Sequence, residues 1–214
     1  MRTVLLIGVG RFGLRIAMRL AEMKVEVMAV DKNEERVKAA VPYVTSGVVG
    51  DSTSEEFLKT IGVRNFDECV VAIGDDVLAS IETTCQLKEL GAKRIIARAS
   101  KDIHERLLLR NGADEIVFPE KQMANWTALR CGTENIFDYL ELNDEYAVFD
   151  VKVPDAWCGK SIGQLDIRRR YGLNIMAVKR GSDMEIAVGT DYVLEPGETM
   201  LVLGRQSDVQ KCFH

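Results

Sequence analysis

Histidine is nearly missing from this 214-residue chain: His104 and His214 are its two examples. Neutral-pH acid–base chemistry and metal ligation draw heavily on imidazole, so both have little to work with here. Cysteine is no substitute. Cys69, Cys85, Cys131, Cys158 and Cys212 are odd in number and form no C-x-x-C pair, which argues against a disulfide framework or structural zinc site and for a reducing compartment. Cys69, Cys85 and Cys131 read as small core hydrophobes. Long apolar runs are missing too. Val4-Leu5-Leu6-Ile7 is typical, whereas a bilayer span needs ~20 residues. Met1-Arg2 leads straight into that run and a glycine turn, so no signal peptide is expected. Excess basic charge is also absent. The 28 Lys and Arg face 33 Asp and Glu, a net charge of −5, which disfavours a nucleic-acid partner.

What the chain does have is an alternation of strand and helix patterns. Short runs rich in β-branched residues fall at 3–7, 25–30, 44–49, 69–73, 94–97 and 115–118. Between them apolar residues recur every three to four positions, as at Phe12, Ile16, Leu20 and Met23. Glycines close several helical patterns, at Gly62, Gly91 and Gly112, where the left-handed conformation ends a helix. Ser52 with Glu55 and Thr53 with Glu56 read as overlapping capping boxes. Such alternation predicts an α/β fold, a doubly wound, mainly parallel sheet covered on both faces. Ligands of these folds bind at the carboxyl ends of the strands.

The first strand ends in Gly8-Val9-Gly10-Arg11-Phe12-Gly13. In this G-x-G-x-x-G pattern the first glycine permits a tight turn, the second lets backbone approach a phosphate, and the third lets the helix pack close to the strand. The helix N-terminus then offers free N–H groups to an anion. Asp31 ends the second strand, 23 positions beyond Gly8, where a carboxylate accepts hydrogen bonds from adenosine ribose. No arginine follows it directly, which favours a free 2′-OH over a 2′-phosphate. Gly50-Asp51-Ser52, Gly74-Asp75-Asp76, Arg98 and Pro119-Glu120 follow strands three to six. Asp51 and Ser52 read as caps with a supplementary nucleotide contact. Gly74 lets the chain pass near the ligand, and Glu120 is an available carboxylate. His104 reads as a mid-helix surface residue. Gly159-Lys160-Ser161 resembles the end of a P-loop, but Pro154 stands where that motif needs glycine.

The cadence changes near Cys131-Gly132-Thr133, which divides the chain into a Rossmann-type domain at 1–134 and a small α+β lobe at 135–214. Residues 135–145, with Asp138, Glu141, Asp144 and Glu145, read as an acidic connector. Strand patterns follow around Phe149-Val151-Val153, at 173–178, over Met184-Ile186-Val188 with Ala187 between, and at 200–203. Gly181-Ser182-Asp183 reads as a hairpin turn, a short helix is expected at 161–166, and Arg168-Arg169-Arg170 reads as a solvated basic turn. No catalytic grouping is visible in this lobe.

The order of these motifs carries a resemblance. The glycine loop, Asp31-Lys32-Asn33, Gly50-Asp51-Ser52-Thr53 and Ala97-Arg98-Ala99 precede a lobe with Leu165-Asp166-Ile167-Arg168 and Leu194-Glu195-Pro196-Gly197-Glu198. The whole chain resembles the cytoplasmic regulatory subunits of Ktr/Trk potassium-uptake systems, the stand-alone RCK proteins. The resemblance implies a non-enzymatic subunit lying against the inner face of the cell membrane. It implies a homodimer that assembles into an octameric ring on a membrane-embedded potassium-translocating subunit and gates it through exchange of ATP for ADP. It places the nucleotide on Gly8, Gly10, Arg11, Phe12, Gly13, Asp31, Lys32, Asp51, Ser52, Gly74 and Arg98, with Arg11 toward the terminal phosphate. It places a divalent cation at Glu120, and cyclic di-AMP at Ile167, Arg168 and Asn174. NAD or NADH fits the same loop. An NAD-dependent oxidoreductase and a nucleotide-sensing transcriptional repressor are the competing readings. The first needs a substrate domain with an acid–base residue and the second a basic recognition element. The helix after Pro119, with Met123, Trp126, Leu129 and Arg130, is expected to mediate dimer contact.

Overall fold

A computed structural model describes every residue except Met1, Asp144, Ala187 and His214; the expectations for Asp144, Ala187 and His214 fall outside the described residues. The chain divides into two compact units, Met1–Lys121 and Gln122–His214, whereas the sequence cadence shifts at 134. Among the described residues no helix is long and apolar enough to cross a membrane.

The first unit alternates as its patterning dictates. In order it contains β1 (Thr3–Ile7), α1 (Arg11–Glu22), β2 (Glu26–Asp31), α2 (Glu34–Ala40), β3 (Ser46–Val49), α3 (Glu55–Ile61), β4 (Glu68–Val71), α4 (Val77–Glu89), β5 (Ile95–Arg98), α5 (Asp102–Arg110) and β6 (Glu115–Val117). The six strands pair in parallel in the order β3-β2-β1-β4-β5-β6, the doubly wound order with its reversal between β1 and β4. Side chains of a strand alternate between faces, and β1 sends both sets into core. Leu5 and Ile7 pack with Leu58, Leu87 and Leu108 from α3, α4 and α5. Val4 and Leu6 pack with Ala17 and Val37 from α1 and α2. Leu5 and Leu6 are fully buried, each worth about 1.5–3 kcal/mol. Gly62 closes α3 in the left-handed region at φ 74°, as its position predicts.

Helix α6 (Pro119–Gly132) runs across the division between the units. None of its residues is buried. The second unit is an antiparallel sheet of β7 (Ile136–Glu141), β8 (Tyr146–Lys152), β9 (Asn174–Arg180), β10 (Asp183–Glu185) and β11 (Thr199–Arg205), ordered β10-β9-β11-β8-β7. Short helices α7 (Ile162–Leu165) and α8 (Ile167–Tyr171) and the terminal α9 (Gln206–Phe213) complete it. Its core joins Phe149, Val151, Met200 and Val202 to Trp157, Val209 and Phe213, with Trp157 edge-on to Phe213 at 5.6 Å.

Several expectations need correction. The acidic connector is strand β7, an edge strand paired to β8 with only Ile136 buried. Its charged residues face water, so its composition reads as a linker. The basic turn is helix α8, its three arginines exposed. The strand expected around Met184–Val188 reaches only Glu185. Helix α3 is capped by Ser54, which accepts from Phe57 N–H at 3.3 Å, and not by Ser52 or Thr53. His104 is fully buried. Cys131 is exposed and Cys85 only half-buried, while Cys69 is core.

Candidate functional site

The turn after β1 lies at the sheet's switch point. Gly8 adopts φ +88°, and a Cβ there would sit 3.1 Å from the Ala72 carbonyl carbon at the end of β4. Both facts demand glycine. A Cβ on Gly13 would overlap the Gly8 carbonyl oxygen, so the third glycine lets α1 close down on the loop. Gly10 differs. It is the N-cap of α1, and its Cβ would meet nothing nearer than Arg36 Nη1 at 3.8 Å; its front is open. Among the described residues no side chain caps α1, and the first closing bond runs from Leu14 N–H to the Gly10 carbonyl. The preceding N–H groups of Arg11, Phe12 and Gly13 are the unpaired donors of a helix N-terminus.

Asp31 ends β2 beside this loop, 6 % exposed. Its Oδ2 accepts from Val9 N–H at 2.9 Å and its Oδ1 from Asn33 N–H at 2.9 Å. One carboxylate thus shapes the glycine loop and the start of α2 together. The sequence reading missed Arg36. Asn33 caps α2 by accepting from Arg36 N–H at 3.1 Å, and the Arg36 side chain lies beside the strand end, with Nη1 3.9 Å from Asp31 Oδ2. Its only sequence signal is its place in the first turn behind an Asn cap.

The residues after β3 stand around the same edge. Asp51 Oδ1 accepts from both Thr53 N–H at 2.9 Å and Thr53 Oγ1 at 2.8 Å. These bonds, the backbone one foremost, outweigh partial burial and together with the charge of Lys32 hold its carboxyl below the usual range. Lys32 and Asp51 are exposed. Ser52 is buried, its hydroxyl 2.9 Å from that of Thr83 on α4, so it ties the strand end to a helix. Asp76, not Asp75, caps α4 by accepting from Ala79 N–H.

A second group gathers after β4 and β5. The Arg98 guanidinium lies over the Phe12 ring at 5.4 Å and is ion-paired with Glu120. It fills the space in front of Gly74, where a Cβ would collide with it. Among the described residues, Arg98 Nε is buried without a hydrogen-bond partner. The Glu120 carboxyl is held below its ordinary range, chiefly by its own backbone N–H, then by Arg98 and the charge of Arg11, which outweigh burial. As a donor set for a divalent cation, one carboxylate facing guanidinium groups is poor, and no group of three His, Cys, Asp and Glu gathers among the described residues. In the second unit Arg168 and Asn174 are exposed while Ile167 is 2 % exposed within the core.

The structure therefore brings together two clusters, the glycine loop with Asp31 and Arg36, and Phe12 with Gly74, Arg98 and Glu120. Comparison with known proteins shows the family. Residues 4–119 match the TrkA-N domain and residues 146–213 the TrkA-C domain. Ktr system potassium uptake protein C of Bacillus subtilis is 41% identical over 205 residues, 96% of this chain and 93% of that protein. Ktr system potassium uptake protein A of the same organism is 36% identical over 96% of this chain and 92% of its own. Among solved structures, the GsuK channel bound to NAD superposes with a TM-score of 0.70 at 18% identity, covering 97% of this chain but 38% of the channel chain. The GsuK RCK domain superposes at 0.54 with 25% identity, over 99% of this chain and 45% of that one. With both domains matched and this identity along nearly its whole length, the chain belongs to the TrkA-type family of Ktr and Trk potassium-uptake proteins.

Proposed function

We propose that this chain is a regulatory subunit that senses an adenine nucleotide and gates a membrane potassium transporter by changing shape, making and breaking no covalent bonds itself. The observation that carries this is the glycine loop held by Asp31 at the switch point, open in front of Gly10 and backed by uncapped N–H groups. A loop so built takes a phosphate chain, and the neighbouring carboxylate takes ribose hydroxyls. The relatives named for potassium uptake supply the transported ion and the membrane-embedded partner, and with them a place on the inner face of the cell membrane.

ATP and ADP are the ligands we assign, with NAD(H) as the second reading, since solved relatives in fold are described as bound to NAD and to ADP. Gating by exchange requires that ATP favour one shape over another. We assign Arg11, the first residue of α1, to the extra phosphate, and a divalent cation at Glu120 would require that carboxylate to leave Arg98. Coupling of about 1–3 kcal/mol per site is typical, and a ring of copies, an octamer built from homodimers through the exposed helix α6, multiplies it. Cyclic di-AMP at the exposed Arg168 and Asn174, with Ile167 beneath, belongs to the same reading.

Native mass spectrometry of the purified chain with titration calorimetry tests this. Bound adenine nucleotide and a multiple of two copies are expected. Asp31→Ala should weaken every nucleotide, and Arg11→Ala should abolish the preference for ATP over ADP. A wild-type chain that binds none of ATP, ADP or NAD would overturn the reading.

A further inference from the structure

Resting on the nucleotide-binding reading above, we propose that Arg36 is a specificity-determining residue of this site: a counter-charge between Asp31 and the glycine loop that makes the site select phosphorylated adenosine nucleotides over free adenosine. The need for one follows from the site's charges. The Asp31 side chain is 5 % exposed and lies against the loop that must receive a phosphate chain. Carboxylate and phosphate repel at such range, and the low-dielectric wall strengthens the repulsion. Arg36 is placed to relieve it. Its Nη1 is 3.9 Å from Asp31 Oδ2 and 3.8 Å from where a Cβ on Gly10 would stand. The guanidinium therefore reaches from the carboxylate to the residue that opens α1.

Its donors are also uncommitted. The 3.9 Å approach to Asp31 is an ion-pair contact and too long for a hydrogen bond. Among the described residues the Arg36 guanidinium donates no hydrogen bond, and its side chain is 52 % exposed. Arg98, by contrast, is engaged with Glu120 and Phe12. A planar guanidinium with free N–H groups suits a phosphate oxygen. Asp31, retained and bonded on both oxygens, still selects against a 2′-phosphate, so Arg36 serves the phosphate chain and not the ribose.

The test is titration calorimetry of the full chain with ATP, ADP and adenosine, for wild type, Arg36→Gln and Arg36→Lys, with thermal unfolding as the fold control. Arg36→Gln is expected to weaken ATP and ADP by about 10- to 100-fold, the range of a charge-assisted hydrogen bond, while adenosine affinity stays within about twofold. Arg36→Lys should recover part of the loss. Unchanged ATP affinity in Arg36→Gln overturns the proposal, and so does an equal loss for adenosine and ATP, which would make Arg36 a support for Asp31 or a platform for the base. A wild-type chain that binds no nucleotide overturns the underlying reading and this proposal with it, a result distinct from the other two.

Discussion

The three glycines of the loop have different jobs, and Gly13→Ala against Gly10→Ala separates them. Gly13 lies within α1, where alanine is intrinsically better by about 1 kcal/mol. The structure reverses that preference. A Cβ at Gly13 would overlap the Gly8 carbonyl oxygen, with the Gly8 carbonyl carbon at 3.0 Å and Ala72 Cβ at 3.4 Å behind it. Gly8 is itself pinned between Val30, through its N–H, and the backbone of Ala72. The helix must therefore move roughly 1 Å or more to regain an ordinary C···O separation. Overpacking of this kind costs about 1–3 kcal/mol, and contact with rigid backbone on both sides puts it at or above the top of that range. After the gain in helix propensity, a net loss of about 2 kcal/mol remains. For a chain of this size that lowers Tm by about 4–8 °C. Moving Gly8 also breaks the Val9–Asp31 bond, so ATP affinity falls by more than about tenfold. At Gly10 the helix cap has φ −66° and nothing within 3.8 Å, so alanine should leave Tm within about 2 °C while its methyl obstructs the phosphate. Differential scanning calorimetry and ATP titration read both effects. Equal Tm losses in the two variants, or none in Gly13→Ala, would refute the assignment.

Three further outcomes follow from buried groups. Glu198 is 1 % exposed and accepts from Glu195 N–H at 2.8 Å, Tyr192 hydroxyl at 2.8 Å and Arg180. Burial alone would raise its pKa, but these bonds lower it. Its stabilisation is thus full above the ordinary glutamate range and lost as pH falls through the lowered value. Glu198→Ala should cost about 1–3 kcal/mol at pH 7 by denaturant titration, with the gap to wild type narrowing in acid; a constant gap would contradict this. His104 is buried, its Nδ1 accepting from Ser100 N–H at 3.3 Å, and burial, then Lys101, lowers its pKa. The unfolded chain takes up its proton first, so stability should fall as pH drops below about 6.5, and His104→Gln should flatten that slope. Exposed Cys131 should alkylate in the native chain, whereas Cys69, its thiol pushed up to about 12 by burial and then Glu68, should stay unmodified until unfolding; peptide mass spectrometry distinguishes them.

The sequence alone determined the alternation of strands and helices, the parallel sheet, the glycine loop and the acid that ends β2. Each is a local signal. Apolar period and a helix-closing glycine such as Gly62 are set by neighbours along the chain, and the parallel order by the standard crossover. The tertiary structure decided what depends on distant partners. Ser52 is withdrawn from capping because Thr83, 31 residues on, takes its hydroxyl. His104 enters the core although its helix looks amphipathic enough to expose it, and β7 becomes a strand only because β8 offers its edge. Asp31 meets Val9 across 22 residues, and the Arg36 guanidinium stands between Asp31 and Gly10, five and 26 residues away in sequence. Composition states which charges exist; only folding brings a guanidinium within 3.9 Å of a buried carboxylate, because the interaction energy falls with a distance that sequence separation does not measure.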